Sequence, residues 1–76
     1  MFKGPIEEQY AQAERFRDSL PEEQRNAFDR FVAWTNRVRS HDNRRHNLLV
    51  TAMNVLTAQE IGWEWHKVEW DRVEVA

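Results

Sequence analysis

The sequence predicts a mainly α fold: a small three-helix bundle with a C-terminal extended, β-like segment, residues 1–76 forming a single small helical domain. Three observations predict it. Apolar residues recur at helical spacing in three blocks, about residues 5–19, 21–39 and 43–61. Helix stops separate the blocks: Pro21, a polar run over residues 39–47, and Gly62. Beyond Gly62, over about residues 63–75, the apolar residues follow a five-residue rhythm, the period of neither a helix nor a plain strand.

The first helix opens at Gly4-Pro5, where proline suits a first turn whose N–H groups are unpaired in any case. Ile6, Tyr10, Ala13, Phe16 and Leu20 then form one apolar stripe. Pro21 disfavours helix at Leu20, and Ser19 with Glu22 has the spacing of a capping box. The second helix carries Ala27, Phe31, Trp34 and Val38 in one row, widened by Phe28 and Val32. The polar run RSHDNRRHN then predicts a turn near Ser40 to Asn43, with Asp42 or Asn43 as the next N-cap. The third helix has two adjacent apolar rows, Leu48-Ala52-Val55 and Leu49-Met53-Leu56, and so predicts contact with two other elements; Gly62 suits its left-handed C-terminal residue.

The tail reads WEWHKVEWDRVEV, with Trp63-Glu64-Trp65, Val68-Glu69-Trp70 and Val73-Glu74-Val75 as units. Tryptophan and valine favour strands, and β-bulges at His66-Lys67 and Asp71-Arg72 would bring all six apolar residues to one side. A lone strand leaves its backbone unpaired, which points to a strand supplied by a second copy, a homodimer through the C-terminal segment, or by another protein.

Composition narrows the function. Hydrophobic residues at 41% and charged residues at 32% describe a folded chain. With 76 residues and no cysteine, neither disulfides nor thiolate metal sites support it, so self-association is an expected compensation. The N-terminus has no signal-peptide core and no apolar run approaches a membrane span, so a cytoplasmic protein without a membrane partner is expected. Charge runs acidic, basic, acidic along the chain, unlike the overall basic excess of a dedicated nucleic-acid binder. There is no Gly-rich phosphate loop and no nucleophile–base pairing, and His41, His46 and His66 lack metal-ligand spacing. The expectation is no enzyme, no metal and no cofactor.

Binding remains. The expected function is a small protein-binding module acting as inhibitor, adaptor or regulator of a larger protein or nucleoprotein assembly. Its expected partner-binding residues are Trp63, Trp65 and Trp70, with Arg37, Arg39, Arg44 and Arg45 for an acidic partner. The plainer reading of those arginines is solvated helix ends. The alternative function is a helix-turn-helix-like nucleic-acid regulator using the basic turn at 37–47, with Arg44, Arg45, His46 and Asn47 at the start of a recognition helix.

Overall fold

A computed structural model describes residues 2–39 and 43–74. Its elements are α1 (Ile6–Ser19), α2 (Glu22–Arg39), α3 (Arg44–Ile61) and two single 3₁₀ turns, Trp65–Lys67 and Trp70–Arg72. Among the described residues no helix is long and apolar enough to cross a membrane.

The helix stops act as the residues dictate. Leu20 before Pro21 is extended, at φ −73° and ψ 147°. The Ser19–Glu22 capping box does not form: Ser19 stays in the last turn of α1 and its hydroxyl donates to the Phe16 carbonyl at 2.7 Å. The expected turn lies partly outside the described residues, but Asn43 caps α3, its side chain accepting from the His46 N–H at 3.1 Å. Gly62 ends α3 at φ 76°, a left-handed conformation that a side chain would strain.

α3 is the shared neighbour. Both α1 and α2 pack on it, whereas α1 and α2 touch each other less. That is what its two apolar rows require, although Met53 of the second row turns out to solvent. The core joins Ala13 and Leu20 to Ala27, Phe28, Phe31 and Val32 of α2, to Leu49, Ala52, Val55 and Ala58 of α3, and to Trp65 and Trp70. Toward the α2–α3 connection the seam turns polar. Asn47 is fully buried and donates to Asn36 at 2.6 Å, and the Thr35 and Thr51 hydroxyls share a hydrogen bond at 3.0 Å. Each buried polar side chain therefore needs its partner on the facing helix, which fixes the register of the pair.

Polar contacts also tie α1 down. Arg17 clasps Asp29 of α2 through two hydrogen bonds of 2.8 and 2.7 Å, which with the carboxylate of Asp18 hold its guanidinium above its ordinary pKa. Arg45 of α3 meets Glu7 at 2.7 Å and lies over the Tyr10 ring, and the Tyr10 hydroxyl reaches His46 Nδ1 at 3.3 Å.

The C-terminal segment is not a β-strand. Its backbone closes on itself twice, so it needs no partner strand, and the edge required for strand-mediated dimerisation is absent among the described residues. The Trp65 N–H bonds to the Trp63 carbonyl at 2.9 Å, forming a tight turn at Glu64, and the Lys67 N–H then bonds to the Glu64 carbonyl at 3.0 Å. Five residues later the pattern recurs: Trp70 N–H to Val68 carbonyl at 3.0 Å, Arg72 N–H to Glu69 carbonyl at 2.9 Å. The repeating unit is therefore Glu-Trp-x-basic-Val, residues 64–68 and 69–73, a frame shifted from the one the tryptophan spacing suggests. The dipeptides that would have held bulges lie inside the 3₁₀ turns. A 3₁₀ turn eclipses residues three apart, which sets Glu64 against Lys67 at 2.7 Å and Glu69 against Arg72 at 3.5 Å.

Candidate functional site: an aromatic groove beside the helix 3 terminus

The two turns lay the C-terminal segment across α2, and an open groove of about 540 Å³ remains between that segment and α3. Phe31 and Trp34 of α2 reach it, Asn54, Thr57, Ala58 and Ile61 come from α3, and Trp63, Val68, Trp70 and Val73 come from the tail. The size falls in the range of ligand and side-chain pockets, and the lining is almost wholly apolar.

The aromatic wall is braced from behind. Trp70 is 4% exposed and stacks on Phe31 with ring centroids 3.8 Å apart and planes 7° from parallel. Its indole N–H donates to the Trp65 carbonyl at 3.0 Å, linking the second repeat to the first. Arg37 reaches from α2 to the Trp70 carbonyl at 3.2 Å. Two large residues stand out on the rim: Ile61, 72% exposed, and Trp63, 46% exposed with its ring edge-on to Trp70. The Trp34 indole N–H is shielded from solvent and has no hydrogen-bond partner among the described residues. Such an orphan donor costs roughly 1–3 kcal/mol.

The residues expected to bind are distributed differently from that expectation. Of the three tail tryptophans only Trp63 presents its ring to solvent; Trp65 and Trp70 belong to the core. The arginines do not form one patch. Arg37 serves the tail, Arg45 joins α3 to α1, and Arg39 and Arg44 are exposed at the ends of α2 and α3. The hydrogen bond that Arg45 donates to Glu7 holds its guanidinium above its ordinary pKa, so Arg45 stays charged and engaged. His46 is half-buried against Tyr10, and the Asn47 amide points into the α2–α3 seam. A recognition helix needs those last side chains on its outer face, which is not where they lie.

Of the groove lining, sequence reasoning named only Trp63 and Trp70 as binding residues and missed the α2 and α3 walls, Ile61 above all, together with Val68 and Val73. Ile61 lies off both apolar rows of α3, in line with Asn54 and Thr57, and its position one residue before the glycine cap was the other hint that it sits beyond the packed turns. Among the described residues no cluster of His, Asp and Glu is arranged to hold a metal ion. No protein-family model matches the chain, and comparison with curated proteins and with solved structures gives no significant match.

Proposed function

We propose that the chain is a small non-catalytic protein-binding module, a regulator, adaptor or inhibitor of a larger protein, and that the aromatic groove is its contact site. One observation carries the reading: a preformed apolar groove with Ile61 and Trp63 exposed on its rim. Large apolar side chains left in water beside a concave apolar surface mark contact sites.

The lining also narrows the occupant. An extended peptide would bring its backbone N–H and C=O groups against a lining whose polar side-chain groups are few, those of Asn54 and Thr57 and the indole N–H groups. A helix satisfies its own backbone and presents only side chains. The groove-lining stretch of α3, Asn54 to Ile61, runs about 10 Å, enough for two or three anchors at i, i+3 or i+4, and i+7. From Glu60 to Glu74 there are five acids against two bases, and both bases are engaged by Glu64 and Glu69. The favoured occupant is therefore an amphipathic helix of a partner protein with basic residues flanking its apolar face.

Affinity capture from the native host tests this with three baits: the intact chain, Ile61→Asp with Trp63→Ala, and Arg39→Ala with Arg44→Ala. The expected result is a bound protein lost with the groove variant and retained with the arginine variant. The reverse pattern would move the site to the arginines and end the groove reading.

A further inference from the structure

The outer face of α3 is unlike that of any other helix in the chain. Charged residues make up 32% of the sequence, yet residues 46–59 contain no Asp, Glu, Lys or Arg. The helix buries Asn47, Leu49, Thr51, Ala52, Val55 and Ala58 against its neighbours. On the other side His46, Val50, Met53, Thr57 and Glu60 follow one another at spacings of four, three, four and three. Met53, Thr57 and Glu60 are exposed there; His46 and Val50 are half-buried. That spacing is the seam of a helix pair, and a helix face meant for water is normally charged.

The polar members of this stripe are already prepared for burial. Thr57 donates its hydroxyl to the Met53 carbonyl at 3.1 Å, so its methyl can be covered without stranding a donor. His46 has Nδ1 engaged by the Tyr10 hydroxyl at 3.3 Å, which leaves Nε2 for a second partner.

The stripe ends in opposite characters: His46, beside Arg44 and Arg45, at the start of α3, and Glu60 at its end. We propose that α3 pairs antiparallel with α3 of a second copy of this chain through this stripe. An antiparallel two-fold about Met53 sets each His46 opposite the Glu60 of the other copy, about 21 Å apart along each helix, and closes both ends at once. The helix dipoles then oppose, and each basic start meets an acidic end. A parallel pair would set like ends together. Thr57 is shared with the groove rim, but the inference does not depend on what the groove holds.

Sedimentation equilibrium of the full chain from about micromolar to about millimolar concentration tests it. The expected result is a monomer–dimer equilibrium whose Kd rises roughly tenfold or more with Met53→Glu. Met53 is 36% exposed, so that variant leaves the core intact, which circular dichroism checks. Charge gives a sharper arm. His46→Glu alone sets two carboxylates against each other at both ends, and Glu60→Lys alone removes the acceptor facing His46, so each weakens the dimer. Mixing the two restores a His46–Glu60 pair at one end and sets Lys against Glu at the other, and is expected to give a heterodimer tighter than either alone. A monomer throughout, a dimer indifferent to Met53→Glu, or a mixture no tighter than its components overturns the proposal. Groove-dependent capture of a partner is a separate readout and stands or falls on its own.

Discussion

The two five-residue repeats have nearly the same backbone and different jobs. Glu64 and Glu69 share φ −83° with ψ 65° and 79°, and Val68 and Val73 share φ −74° with ψ 135° and 121°. Each repeat has one i,i+3 ion pair and one buried tryptophan. Yet Trp65 lies edge-on to Phe28 and completes the core, while Trp70 stacks on Phe31 and walls the groove. Local sequence sets the turn. What lies beneath each tryptophan sets its role.

That contrast can be broken by stability measurements, and the largest effect belongs to the first repeat. Trp65→Ala empties a core position enclosed by α2 and is expected to cost about 4–5 kcal/mol in urea denaturation, near the whole stability of so small a chain. Trp70→Ala opens onto an existing groove, whose walls can settle, and is expected to cost nearer 3 kcal/mol. Equal losses would erase the distinction. A smaller change, Trp70→Phe, keeps a ring on Phe31 but removes the N–H bonded to the Trp65 carbonyl; a loss of about 1–2 kcal/mol is expected. No measurable loss would mean the repeats are coupled by stacking alone.

The smallest effect concerns the ion pair of the first repeat. The hydrogen bond from Lys67, and then its charge, hold the Glu64 carboxyl below its ordinary pKa, while the same contact raises that of Lys67. A carboxylate with a lowered folded pKa adds stability above its ordinary range and loses it as pH falls through the lowered value. Both groups are well exposed, so the effect is slight and screened by salt. Glu64→Gln is expected to flatten this part of the acid side of the stability profile at low ionic strength and to leave it unchanged at high salt. A variant profile that overlays the parent chain at low salt as well would show that the pair contributes nothing.

The three helices were legible because periodicity and punctuation agree: Pro21 forces Leu20 extended, Asn43 caps, and Gly62 stops. The buried Asn47 was not, because its reason for being inside is Asn36, on another helix. Nor was the tail. A tight turn followed by a 3₁₀ turn has no characteristic hydrophobic period, so five-residue spacing, weighed against a helix, a plain strand and a bulged strand, favours the last only through its tryptophan and valine content. For the site, Trp63 was visible from residue type, whereas Trp65 and Trp70 have the same type and lie inside. Charge clustering along the sequence likewise said nothing of Glu7 and Trp70, the groups that engage Arg45 and Arg37.

The central place of α3 has a consequence in time. The Tyr10–His46 and Glu7–Arg45 contacts join residues 36 and 38 positions apart, and elsewhere α1 leans on α2 mainly near the Leu20 bend, through Phe16–Phe28 and Arg17–Asp29. Closing such a long loop is costly until the contacts that reward it exist. As the chain is synthesised, α1 and α2 emerge without the element that holds them together. The fold is set only when α3 and the tryptophan tail follow, so these later-made elements decide when α1 becomes native.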